Sequence, residues 1–555
     1  VGQPLVYAKE GMIWLKGNNK KEPFTLTGLS GYMARNVYNT YDYNYGNLQV
    51  SSDGTKVFFA DGISNGAFTL YYRKTSGVLP KGTDADEKGV CLASGVTSYK
   101  IAPDGSFVLY RKGDRLYYSD LKEEHSIASS VSSYYLSEDA QKVVFYKNSE
   151  DLYICGFGEA EEPEKIDVGV SNVISPLEEY EKIYYIKDHN LYTKEYGKEK
   201  VLITSDIYSA DIIGDTVYVT REVKQEKRFS DLFEDEFAVD DTQMTEPKRE
   251  DFTVVDVNTF FGTRTDYDAY HDAQKEYNKK KERDRIRAYY DENPQKISTY
   301  ALYKVENDSL VENIADNLKS GYISQIMSQQ AEGSAEKILF STVESFSDAK
   351  NKVSNLNSET ETNDLIILSD GNIVSTANAN IDQEASYKEI SADEKYFYCK
   401  ENMDEEYVGT LNRYEITSSG LINKTKISDN VEIFSLYGDM LVILNDTSIG
   451  IYENETYTRL ADGPVQDDAG KKLPQYVNGA LYYYEDYSNN LQMGNLMRYG
   501  NGKKDIIDID VHEFVIHDEA CYYIKDYSIG NKSGELYKYD GGAQKIDSDV
   551  AYIIY

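Results

Sequence analysis

The residue types best suited to chemistry are the histidines, cysteines and carboxylates, and their spacing sets narrow limits on each. HEFVIH at 512–517 holds two of the five histidines. The HExxH zinc pair needs its histidines four apart on one helical face. Here they are five apart in a run of strand character, where His512 and His517 point to opposite faces. The four cysteines, Cys91, Cys155, Cys399 and Cys521, are far apart and lack CxxC or Cys/His metal spacing. Cys399 in YFYCKE and Cys521 in ACYYIK hold similar strand positions, and all four are expected to be buried small hydrophobes. A disulfide stays open on spacing alone, and so does the redox compartment. DADEKG at 84–89 has the outline of an acidic calcium loop. However, Lys88 stands where an oxygen ligand is needed and no Glu follows six residues past Gly89, so a solvated loop is expected. There is no GxSxG nucleophile elbow, no GxxxxGK[ST] phosphate loop and no dinucleotide fingerprint. With 95 Asp and Glu in the chain, a carboxylate pair for glycoside hydrolysis can always be found, so spacing discriminates nothing. No catalytic, metal or cofactor-binding residue is assigned, and no cofactor is expected.

The elements that would position any such residues form a repeat. SSYYLSEDAQKVVFYKNSEDLYICGFGEAEEPEKIDVGV, 132–170, contains a strand ending in SED, the run VVFY, a polar turn, the run DLYICGF, an acidic loop and the closing KIDVGV. The stretches before and after it, 97–131 and from 172 onward, have the same plan. A four-strand unit recurring every ~35 to 40 residues has the spacing of propeller blades. The expected fold is therefore all-β, a β-propeller of about eleven four-stranded units with a helical insertion. Unit ends recur as LASGV, IASSV, IDVGV, ITSDI, IADNL, ISDNV and IDSDV, and SSDG, APDG and SEDA mark the turn after the first strand.

Taken in order, unit 1 supplies only Leu5–Lys9, Met12–Lys16 and 24–27, matching the second to fourth strands. AYIIY at 551–555 matches the strand it lacks, so 552–555 is expected to pair beside Leu5–Lys9 and close the ring. Unit 2 runs from 47 to 96, units 3 and 4 end at 131 and 170, and unit 5 ends near ITSDI. Unit 6 opens at 210 and is interrupted by the charged segment 224–296. Within that segment 266–291 reads as a helix, with Tyr267, Tyr270 and Tyr277 near one face, Glu276 and Lys280 four apart and Pro294 beyond the end. Its aromatic stripe needs cover, so docking on the ring is expected. Unit 7, 321–385, is irregular, with strands at 337–342 and 364–368 and a second helical candidate at 348–356 behind Ser347. Units 8 to 11 end at 431, 463, 511 and 550. Single propellers have about four to eight blades, so two rings are expected. Residues 30–320 form the first, and 321–555 with unit 1 (1–29, closed by 551–555) form the second.

The chain has 555 residues and a formal charge of −36, with 52 Tyr against 18 Phe and 1 Trp. Such acidity excludes direct binding to nucleic acid or anionic lipid, which need a basic footprint. It suits a soluble surface that repels its copies. Tyrosine suits half-buried strands, the ring packed and the hydroxyl bonded, which accounts for most of the 52 as blade packing. No apolar run approaches a membrane span and no signal peptide is present. The start at Val-Gly-Gln-Pro, without an initiator Met, is that expected of a truncated or processed product, and leaves open any targeting segment upstream.

On the repeated DLY and LYY strands, the IASxV-like unit ends, the insertion DYDAYHDAQKEYNKKKERDRIRAYYDE at 266–292 and SGELYKYDGGAQKIDSDV at 533–550, the chain resembles the repeat-rich extracytoplasmic regions of uncharacterised Clostridia-type surface proteins. The likeness covers nearly the whole chain. It implies a membrane-anchored protein on the extracellular face of the bacterial membrane, often with an upstream zinc ribbon and membrane span, both absent from this sequence. It supplies no catalytic residues. The function expected is non-catalytic: binding, scaffolding or sensing of an unknown protein, peptide or glycan at the cell surface, with no membrane insertion by this segment. The alternative is a propeller-type hydrolase acting on glycans or peptides through channel carboxylates.

Overall fold

A computed structural model describes residues 2–17, 22–28, 33–35, 41–43, 48–79, 87–157, 162–174, 180–213, 216–227, 244–256, 262–292, 294–318, 321–323, 325–327, 336–346, 360–370, 372–379, 381, 386–445, 448–462, 466–467 and 470–554. The fold is all-β, built from antiparallel strands paired in chain order, with one long helix, Tyr267–Glu292, among the described residues. Units 2 to 5 are separate four-stranded sheets of the kind that make propeller-like blades. From unit 8 to 9, from 10 to 11 and from 11 to 1, the fourth strand of one unit runs on as the first strand of the next, whereas units 9 and 10 lie in separate sheets. Gly420–Tyr437, Lys503–His517 and Ala543–Ile553 are single strands that bend mid-way, so consecutive sheets are joined.

The recurring unit end marks that bend. Its last residue is apolar and buried: Val96, Val131, Val170, Ile207, Val431, Val511 and Val550 all keep little or no exposure. Removing each from water is worth about 2 kcal/mol. The residue before each of these seven has positive φ: Gly95, Ser130, Gly169, Asp206, Asn430, Asp510 and Asp549 lie between 54° and 72°. Only glycine adopts that conformation freely, and Asn and Asp tolerate it best among the rest. The variable polar letter in LASGV, IASSV, ISDNV and IDSDV is thus a backbone requirement. The turn after the first strand is also fixed by its letters. Ser51, Ser137 and Ser391 are buried, bond Asp53, Asp139 and Asp393 at 2.6–2.7 Å, and accept the N–H five residues on. Several hairpins turn through two residues of positive φ, as at Asp188–His189 and Asn454–Glu455, the primed turn that matches strand twist.

The tyrosines pack across strands. Tyr110 faces Tyr117, Phe145 faces Tyr153, Tyr185 faces Tyr192 and Tyr523 faces Tyr537, each pair stacked at 5.5–5.9 Å between the second and third strands of a unit. Such pairs each add ~0.5–1 kcal/mol beyond area burial. Core clusters join most consecutive units, 1 with 2 through Val6 and Phe59, 2 with 3 through Phe58 and Tyr110, 7 with 8 through Ile366 and Phe397, and 11 with 1 through Tyr523's neighbour Ile524 and Leu5. At the termini, Tyr7 pairs Ile553, Ala8 pairs Tyr552, and the Ile554 N–H bonds the Val6 carbonyl at 2.9 Å. The C-terminal segment therefore lies beside Leu5–Lys9 as unit 1's missing strand.

Departures from the repeat are local. The helix starts behind Asp266, which accepts the Ala269 N–H. None of its described residues is buried, and its ring contacts are with Phe252 and Arg249 of the same insertion. Docking of the aromatic stripe onto the ring is therefore corrected. Tyr270 finds cover locally against Phe252 and Tyr267 stays exposed, while charged residues occupy most other positions around the helix. Cys155, Cys399 and Cys521 are buried thiols, but Cys91 is exposed, because it sits on the outward face of the fourth strand Val90–Val96. In unit 7, Glu336–Phe346 pairs Thr360–Ile367. The helical candidate at 348–356 lies outside the described residues, as does most of the connector 30–46 apart from a hairpin of Met33–Arg35 with Tyr41–Tyr43.

Candidate functional site

First strands are sheet edges, so half of their N–H and C=O groups have no partner within their own sheet. Where first strands of neighbouring units approach, one side chain bridges the gap. Gln49 of unit 2 donates from Nε2 to the Tyr99 carbonyl (2.9 Å) and accepts the Ile101 N–H at Oε1 (3.1 Å). Gln475 of unit 10 repeats this on Phe514 (3.3 Å) and Ile516 (3.0 Å) of unit 11. Glu389 of unit 8 accepts the Leu436 N–H (3.0 Å), and Glu513 of unit 11 accepts the Ile553 N–H (3.2 Å). Burial pushes both carboxyls up to about 7, against the pull of those N–H groups and, at Glu513, of Lys472. Neither residue is wholly shielded from solvent, but each carboxyl is closely surrounded by protein.

A second set of carboxylates ties the outer bends. Asp547, at the end of unit 11, accepts the Tyr7 hydroxyl (2.6 Å) and Lys9 Nζ (2.8 Å) of unit 1. Asp508 of unit 10 accepts Tyr523 (2.8 Å) and Lys525 (2.7 Å) of unit 11, and Asp167 of unit 4 accepts Tyr185 and Lys187 of unit 5, both at 3.0 Å. Each Asp also accepts the N–H of the residue after it at 2.8–2.9 Å. The tyrosine and lysine are two residues apart on a second strand, which puts both on one face. Burial opposes the Asp167 charge, but Lys200, the Val168 N–H, Lys187 and Tyr185 outweigh it and hold the carboxyl at about 2. At Tyr7 and Tyr523, burial first and the bonded carboxylate second drive the phenol far above its usual range.

The histidines of HEFVIH have separate partners. His512 stacks on Tyr527 at 3.6 Å with Nδ1 2.7 Å from the Gln492 carbonyl, while His517 Nε2 lies 3.0 Å from the Pro4 carbonyl. Of DADEKG, residues 84–86 lie outside the described set, and Lys88 pairs with Asp61 at 2.6 Å. Among the described residues no group of three His, Cys, Asp or Glu could hold a metal ion. Sequence reasoning missed Glu389 and Glu513 among so many acids. Aligning the first strands LQV, YKEI and QYV would have found Glu389, since Gln49 and Gln475 hold its place, whereas Glu513 lies two residues earlier in its unit.

No family model matches the chain, and no curated protein matches it. Among solved structures it is similar to a crystal structure of the eukaryotic initiation factor, at 8% identity over 81% of this chain and 95% of that one, with a TM-score of 0.35. It is also similar to the dihydro-heme d1 dehydrogenase NirN in complex with DHE, at 11% identity over 77% of this chain and 74% of that one, with a TM-score of 0.28. Superpositions at such scores carry no argument about function. The blade-like reading rests on the strand pairing itself.

Proposed function

We propose that the chain is a non-catalytic binding, scaffolding or sensing module that acts outside a bacterial cell, held there by an upstream anchor. The observation that carries this reading is the contrast between occupied inner groups and an open insertion. Gln49, Glu389, Gln475 and Glu513 are engaged with neighbouring backbone, whereas every described residue of the helix Tyr267–Glu292 is exposed or partly exposed. Ring-borne loops and insertions are where contacts are made while strands hold the frame. No helix among the described residues is long and apolar enough to cross a membrane. Excising 224–296 and joining its ends through a short Gly-containing turn tests the proposal. Binding of cells or wall fractions should fall while the ring stays folded; undiminished binding would contradict it.

A hydrolase reading has one observation in its favour: Glu389 and Glu513 are held near neutrality, where a general acid works best. It requires turnover of a glycan or peptide that Glu513→Gln or Glu389→Gln abolishes. On ring number, about eleven units form the blades. Two rings would set unit 2 against unit 6 and unit 7 against unit 1. A single circuit is favoured by the packing of unit 1 on unit 2 and by the Leu318–Thr342 pairing that joins unit 6 to unit 7. Distance measurements between spin labels on units 2 and 6 distinguish the two arrangements, the single circuit giving the longer separation.

A further inference from the structure

Gln49, Glu389 and Gln475 occupy equivalent places and Glu513 lies two residues earlier on its strand, and the four differ in what they can donate. Each glutamine spans two backbone groups two residues apart, giving a proton to the first carbonyl and accepting from the second N–H: Tyr99 and Ile101, Phe514 and Ile516. Glu389 and Glu513 make the accepting half, on Leu436 and Ile553. The carbonyls two residues earlier belong to Phe434, where the glutamine pattern requires a donor, and to Ala551, the extra residue of a bulge between Val550 and Tyr552. A carboxylate has none to give and would set negative charge against carbonyl oxygen, whereas a carboxylic acid donates as the amide does.

We propose that Glu389 and Glu513 serve the ring as carboxylic acids, donating to the Phe434 and Ala551 carbonyls, so that raising pH through neutrality loosens the unit 8–9 and unit 11–1 contacts. The second of these is the closure of the chain ends, which makes it the sensitive one. The surroundings of Glu389 contain Tyr398 across its own sheet and Tyr437 on the facing strand, the latter stacked on Tyr476. Glu513 is faced by Lys472, which favours the anion, and by Tyr527, with His512 beside it on the same strand and Tyr552 on the facing one. Burial outweighs Lys472 and raises both groups from 4.5 to about 7. The folded chain therefore binds more protons than the unfolded one between those values. The resulting stability is complete below the lower value and is lost as pH rises through about 7.

The test compares thermal denaturation midpoints of the full chain at pH ~5.5 and ~8.5. In the parent chain the midpoint should fall by a few degrees at the higher pH. Glu389→Gln/Glu513→Gln supplies the missing donor permanently, so it should match the parent at the lower pH and exceed it at the higher. Gln475→Glu should add a new loss at high pH. A Gln variant that keeps the parent slope, or that fails to fold, overturns the proposal. So does a Gln475→Glu chain without added pH dependence.

Discussion

Asp167, Asp508 and Asp547 lie where fourth strands bend into the next unit, and Glu389 and Glu513 lie on the first strands. Both sets join neighbouring units, yet they meet different surroundings. Each outer aspartate receives a lysine, a tyrosine hydroxyl and a backbone N–H, enough donors to keep a charge in a poorly hydrated place. Each inner glutamate receives one N–H and faces a backbone that also offers a carbonyl, so the neutral acid fits and the anion does not. The same functional group thus holds the frame in two charge states, selected by how many donors converge on it.

The largest effect should come from removing closure, where both kinds of tie meet. Deleting 551–555 takes away the strand paired to Leu5–Lys9 and the Ile553 N–H that Glu513 accepts. Limited proteolysis should then cut within the first 30 residues, and the denaturation midpoint should drop far more than for any point change. Unchanged protease resistance would separate closure from stability. Next comes the outer tie. Asp547→Ala leaves Lys9 and the Tyr7 hydroxyl without their carboxylate and should cost about 2–3 kcal/mol in denaturant titrations, as Asp508→Ala should at Lys525 and Tyr523.

Opposite pH limbs sharpen the contrast. Asp167 is held below its unfolded value of 3.8, so its contribution is present above that value and lost as pH falls through about 2. The glutamate contribution is lost in the other direction, as pH rises through about 7. Asp167→Asn should flatten the acid limb and leave the alkaline one alone. The smallest effect is at the bend itself. Asn430, at φ 54°, should tolerate Gly with little change, while Asn430→Ala should cost about 1 kcal/mol, read from the same titrations.

Much of this frame was legible in the sequence for a physical reason. Backbone demands are strict and local, so the polar residue before Val431 or Val550 and the Ser-x-Asp turns at Ser51 and Ser137 repeat in letters as they repeat in conformation. The helix limits were legible too, from Asp266 and Pro294, but its docking was not, because cover for Tyr270 comes from Phe252, eighteen residues earlier in an irregular stretch. Cys91 was misread since a short outer strand shows little alternation to tell its faces apart. Glu389 and Glu513 stayed hidden because their role depends on a backbone group from the next unit. Charge and spacing along one strand say nothing about that partner.

The difference in charge state can be observed directly by infrared spectroscopy of chain labelled with carbon-13 at glutamate carboxyls. The account predicts a protonated-carboxyl band at pH ~6 that disappears by pH ~8.5 and is missing from Glu389→Gln/Glu513→Gln. A spectrum showing only ionised glutamate at the lower pH, or a band that survives in the double variant, would contradict it.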